Sequence, residues 1–190
     1  MAGESTEISH MISPSSWNRF ETCPRMFWLS KQRLPRKAGM AASLGTAVHA
    51  SVEDLLQEDY TQIGNSEDGW LPAEGLRLLK ARWEEEKAVF HATPRRPQWK
   101  EEKSKEAIKH QKGAIRMLLD HVGINGLDHE KITGALWRKI QSMAIAVEGE
   151  LKTENGKLMG RLDLLMADVD SSGKMVGWLV ADLKTGKAPR

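Results

Sequence analysis

The stretch WLVADLKTGK, residues 178–187, carries an apolar body straight into Asp182 and Lys184 before Thr185 and Gly186 interrupt it. An Asp and a Lys two residues apart near a strand end are, taken alone, most simply a solvated terminus. Two further acids change that reading: Glu148 and Asp163 each sit within an apolar run upstream. Three carboxylates beside one ammonium leave an excess of negative charge, and hard oxygen donors of this kind suit Mg²⁺ or Mn²⁺. A cation so held acidifies bound water and neutralises charge developing on a phosphoryl group, while the lysine orients or helps deprotonate the nucleophile. The chemistry indicated is phosphodiester hydrolysis.

Whether the acids meet is a question of strand register. From about Ala146 the apolar period shortens from helical to extended, with runs near 146–152, 158–169 and 175–183. Glu154-Asn155-Gly156 and Asp170-Ser171-Ser172-Gly173 separate them, both hairpin signals. With Asn155 and Gly156 at the centre of the first turn, facing residue numbers sum to 311 and Glu148 opposes Asp163. With Ser172 and Gly173 at the centre of the second, the sum is 345 and Asp163 opposes Asp182. All three acids then share one face, and Lys184 shares it too. Like charges directly opposite cost about 0.2–1 kcal/mol per pair when exposed and more when buried, so something positive belongs among them. Glu150, on the same face and opposite Arg161, reads as a structural ion-pair partner, and as the substitute ligand if the first turn slips.

His49, in Gly45-Thr46-Ala47-Val48-His49, has two readings: a ligand approaching the sheet, or a helix residue bonded to Glu53 one turn on. His10, His91, His110, His121 and His129 form no ligand pattern with Cys23, which argues against zinc. Gly186-Lys187 does not make a phosphate loop, since Ala181 and Ala188 stand where a glycine and a hydroxyl are required.

The elements that must position these groups are mostly helical. Ser13-Pro14 starts a helix carrying Trp17, Phe20 and Phe27, and Arg33–Gly39 breaks the pattern. A second helix runs over about 45–57 with Val48, Val52, Leu55 and Leu56 on one stripe. After a loop at 61–72, amphipathic segments at about 73–92, 102–122 and 129–146 form a helical insertion over 61–145. Their mixed-sign charge clusters read as solvated faces. The fold class expected is mixed α/β: a three-stranded antiparallel meander flanked by helices, in one domain over 1–190, with helices in 13–146 and catalytic strands in 146–187. The 190-residue chain, 40% hydrophobic and 28% charged, can bury a sizeable core. Its formal charge of +2 is too mild to announce a nucleic-acid binder. With one cysteine there is no internal disulfide framework, and neither a signal peptide nor a membrane span is evident, so the expected location is cytoplasmic.

Four stretches in this order, SPSSWNRFETCPRMFWL (13–29), GTAVH (45–49), GRLDLL (160–165) and ADLKTGK (181–187), together resemble the RecB-like branch of the PD-(D/E)XK nuclease superfamily, which includes RecB and AddB nuclease domains and CRISPR adaptation nucleases. The resemblance implies a restriction-endonuclease-like core and a metal-dependent DNA exonuclease of repair, recombination or CRISPR adaptation, with a helicase or adaptation proteins as partners. It also implies that His49, Asp163 and Asp182 bind Mg²⁺ or Mn²⁺, that Lys184 is the catalytic lysine and that Glu148 assists it. In the family a helical subdomain shapes a channel for single-stranded DNA, where Trp70, Trp83 or Trp99 would stack bases unless they pack the core. A helix carrying Gln and Tyr follows the lysine motif in the family, so a chain stopping at Arg190 reads as C-terminally truncated. Some members ligate an iron-sulfur cluster with one cysteine in a Cys-Pro motif, which Cys23-Pro24 matches, and three near the C-terminus, which would lie beyond Arg190; the other reading of Cys23 is a buried structural residue. The rival to catalysis is a DNA-binding or scaffold module that retains the nuclease fold.

Overall fold

In the computed structural model, which describes residues 12–32, 34, 37–124, 126 and 128–185, six α-helices precede a three-stranded antiparallel sheet of order β1-β2-β3. His10 and the Gly186-Lys187 end of the lysine motif lie outside the described residues. The strands are β1 (Ala144–Lys152), β2 (Met159–Val169) and β3 (Met175–Ala181). The chain divides into two compact units, Met1–Leu34 with Gly149–Leu162, and Pro35–Glu148 with Asp163–Arg190.

In the first unit the sequence pattern predicts one helix, and two form: α1 (Pro14–Thr22) and α2 (Pro24–Lys31). Pro24 explains the break, because its ring disfavours helical geometry at the preceding residue, and Cys23 is extended at φ −163°. A capping box between Ser13 and Ser16 starts α1. The hairpin end of β1 and β2 belongs to the same unit. There the Thr153 amide donates to the Leu158 carbonyl at 3.0 Å and the Gly156 amide to the Thr153 carbonyl at 2.8 Å. Four residues lie between Thr153 and Leu158 instead of two, but the pair keeps the expected sum.

The second unit is built on α3 (Met40–Gln57), α4 (Leu71–Ala92), α5 (Ser104–His121) and α6 (Gly134–Met143). Helix α3 buries Leu44, Val48, Val52 and Leu55 at i, i+4 and i+3 spacings, and polar ties fix it in place. Arg82 of α4 grips Asp54 through two hydrogen bonds of 2.7 and 2.6 Å. Trp137 of α6 donates Nε1–H to the Leu55 carbonyl at 2.9 Å. Buried Gln111 of α5 donates to Ser51 Oγ at 3.0 Å and to the Gly75 carbonyl at 2.8 Å, a link that costs about 1–3 kcal/mol when left half-made. Gly134 opens α6 where a Cβ would lie 2.6 Å from the Gly64 carbonyl oxygen, so no larger residue fits without moving backbone.

Leu164 and Met166 of β2 are buried in the helical core, with Leu179 and Ala181 of β3 packed against it. The opposite face leaves Val176, Trp178 and Val180 exposed. Register between β2 and β3 runs Leu164↔Ala181 through Asp168↔Gly177, a constant sum of 345, and shifts by one between Asp168 and Val169. The turn itself follows a different count: the Asp170 amide bonds to the Lys174 carbonyl at 2.9 Å, enclosing three residues, with Gly173 left-handed at φ 82°. A three-residue turn plus a bulge therefore restores the register that a two-residue turn would have given.

Candidate functional site

Asp163 lies on β2 one step beyond the last paired residues of β3, so the register sets it beside Asp182. Its Oδ2 accepts a hydrogen bond of 2.7 Å from the Leu183 amide. The same oxygen is 3.5 Å from His49 Nδ1, and Glu148 Oε1 is 3.9 Å from that nitrogen. Donor atoms of His49, Glu148 and Asp163 all lie within 4.8 Å of one another, and the three residues are half-buried. His49 reaches this point because it stands on α3 at the border of the buried stripe, next to fully buried Val48. Its side chain faces the two acids, and Glu53 instead accepts from Gln57 Nε2 at 3.3 Å.

Glu148 is the one non-glycine residue with a left-handed backbone among those described, at φ 52°. For an L-residue this costs about 1–2 kcal/mol, and such strain collects where a side chain must be aimed. Nothing in the residue type or spacing signals it.

Beyond Ala181 the chain keeps strand-like alternation. Leu183 packs inward against both buried clusters of the helical core, and Asp182 and Lys184 turn outward together. Lys184 Nζ lies 2.7 Å from one Asp182 oxygen and 2.6 Å from the other. The ammonium, chiefly by this hydrogen bond, holds the Asp182 carboxyl below its ordinary value of 3.8, and Asp182 in turn raises Lys184. Asp182 adjoins Asp163 but is not one of the three converging residues; its oxygens are engaged by Lys184. Gly45, one turn before His49, makes room for this segment: a Cβ there would lie 2.9 Å from Thr185 Oγ1.

One imidazole nitrogen and two carboxylates, with a third carboxylate adjacent, form a donor set that fits an oxygen-preferring divalent cation with positions left for water and a phosphate oxygen. Cys23 is half-buried between α1 and α2. Glu150 pairs with Lys152 at 3.2 Å. Trp83 is buried against Trp99 and Trp70 packs on Tyr60, each at 4.9 Å between ring centres, so core packing uses the rings proposed for base stacking. A cleft of about 610 Å³ in the first unit is lined chiefly by apolar residues such as Trp17, Leu151 and Leu158 and holds no acid pair.

The family model of the PD-(D/E)XK nuclease superfamily matches residues 11–190. No curated protein and no solved structure gives a significant match to the chain.

Two outcomes test this geometry. Gly45→Leu should displace the 182–185 segment by overpacking worth about 1–3 kcal/mol and speed hydrogen exchange of the Leu183 amide about tenfold; unchanged exchange would remove Gly45 from the account. The Asp182 carboxyl should titrate below 3.8 by ¹³C NMR and move up in Lys184→Ala. Because its folded value is depressed, the small stabilisation from this exposed pair is present above 3.8 and fades as pH falls through the lower midpoint. A midpoint insensitive to Lys184→Ala would show the pair is not formed in solution.

Proposed function

The chain belongs to the PD-(D/E)XK nuclease superfamily, and from that premise we propose that it is a divalent-metal-dependent DNA exonuclease of the RecB-like kind. Superfamily members are phosphodiesterase nucleases that use divalent metals. The observation that carries the proposal to this chain is the convergence of His49, Glu148 and Asp163, with Asp182 and Lys184 at the adjoining strand end.

His49, Asp163 and Asp182 would hold Mg²⁺ or Mn²⁺, with Glu148 assisting. An ion held there would supply Lewis-acid polarisation of a phosphoryl oxygen and lower the pKa of water. Asp163 is oriented for this by the Leu183 amide, which occupies one lone pair of Oδ2 and keeps the carboxylate from rotating. Lys184 is the candidate catalytic residue: its side chain is 77% exposed and its ammonium is tethered to Asp182. A lysine ammonium is protonated near neutrality and would serve there as a proton donor and orienting cation. The role proposed in the cell is cytoplasmic, in DNA repair, recombination or CRISPR adaptation, beside a helicase or adaptation proteins.

The test uses the protein with end-labelled linear duplex and single-stranded DNA and with closed circular DNA, in Mg²⁺, Mn²⁺ or EDTA. Linear DNA should be shortened from its ends only when metal is present, while circles stay intact. Asp163→Ala and Lys184→Ala should each slow cutting by roughly 100-fold or more. Metal-dependent cutting that survives both substitutions would refute the site, and DNA binding without cutting in any metal would favour the non-catalytic module.

A further inference from the structure

From a different part of the second unit we infer that Lys37, Arg95, Arg96 and Lys100 form a phosphate-binding surface that holds the nucleic-acid backbone; this deepens the nuclease reading and rests on it for the choice of polyanion. The sequence segregates charge here. Segments 33–37 (RLPRK) and 93–100 (TPRRPQWK) contain six of the 28 Lys and Arg residues and none of the 26 acids, so the rest of the chain is net acidic. Net charge conceals this, which is why the modest overall +2 gives no hint of it.

The structure joins the two segments. Lys37 and Arg95 form a parallel bridge, and the Ala38 amide donates to the Arg95 carbonyl at 3.0 Å. Two cations are thereby set side by side. Lys37, Arg95, Arg96 and Lys100 are exposed, and among the described residues none is paired with a carboxylate. Arg96 donates only to the Thr93 carbonyl, at 2.9 Å. The acid nearest in sequence, Glu101, is turned away: it accepts from Lys87 and from Trp83 Nε1 of α4.

The surface is also stiff. Pro94 and Pro97 bracket the arginine pair, and Thr93 ahead of Pro94 is extended at ψ 124°. At the far end Trp99 is clasped by Trp83 at 4.9 Å and Phe90 at 5.0 Å between ring centres. Cations held together by a rigid scaffold, with no internal acid to neutralise them, match a ligand carrying regularly spaced negative charge. The surface adjoins the start of α3, and His49 lies about 14 Å along that helix from Met40 at a rise of about 1.5 Å per residue. That separation is suited to gripping the backbone away from the bond being cut.

The test measures fluorescence anisotropy of fluorescein-labelled duplex and single-stranded 20-mers in EDTA, so that no cutting occurs, across a salt series. Arg95→Gln/Arg96→Gln should bind about tenfold more weakly near 0.1 M salt. Its slope of log affinity against log salt should flatten by about 1.4 on single strands or 1.8 on duplex, the value of two lost phosphate contacts. Arg95→Lys/Arg96→Lys should restore most of the slope, and Lys139→Gln, an exposed cation elsewhere, should leave it unchanged. Lys37→Gln and Lys100→Gln repeat the reading if the double variant does not fold. Absent DNA binding, wild-type affinity and slope in the variants, or an equal loss in Lys139→Gln would each overturn the inference. Patch-dependent binding without metal-dependent cutting would keep it and sink the nuclease reading, whereas cutting with an unaltered salt slope would do the reverse.

Discussion

Two carboxylates, Glu148 and Asp163, are held with oxygens no more than 4.8 Å apart. At an effective dielectric constant of about 20 their repulsion is about 3 kcal/mol, before the neighbouring Asp182 is counted. The backbone adds to the cost by holding Glu148 in left-handed geometry. A fold keeps such an arrangement only if its framework overrides the repulsion, and that framework is visible. Asp163 is locked by the Leu183 amide, Asp182 is tied to Lys184, and Leu183 is wedged into the helical core. Helix α3 brings His49 to the same point because Arg82, Gln111 and Trp137 fix it from three neighbouring helices. Two carboxylates and an imidazole nitrogen converging on one point are the physical reason to expect a cation.

Much of this was legible because strand register is arithmetic. The expected sum of 345 places Asp163 beside Asp182, and the structure has that sum from Leu164↔Ala181 through Asp168↔Gly177. The route differs: a three-residue turn with Gly173 left-handed offsets the count by one, and the irregularity at Asp168 and Val169 returns it. Burial on the Leu164 and Met166 face supplies the reason, because a slip by one residue would turn those core side chains to solvent. Turn type is set locally and by few interactions, so it yields to the core.

What escaped the sequence was set by contacts distant in the chain or by single backbone torsions. The strain at Glu148 has no signature in residue type. Pro24 was available as a signal that helix α1 ends at Thr22, but the aromatic spacing of Trp17, Phe20 and Phe27 pointed to continuity. The close approach of Gly45 to Thr185 spans most of the chain. The joining of Lys37 to Arg95 is likewise long-range, and each segment alone looks like an ordinary charged loop. Trp83 lies in the core and Trp70 packs half-buried against it, each beside another aromatic ring. The restriction-endonuclease-like arrangement of sheet and helices was readable; the exact aim of its side chains was not.

The central claim is that these side chains share one divalent ion. The most direct measurement is a crystal grown or soaked with Mn²⁺ and recorded at a wavelength where manganese scatters anomalously. An anomalous peak is expected beside Asp163 in the middle of β2, just past the C-terminal end of β3, within bonding distance of Asp163 and of His49 or Asp182. A peak elsewhere, or none at saturating Mn²⁺ with Asp163 and His49 ordered as described, would contradict it.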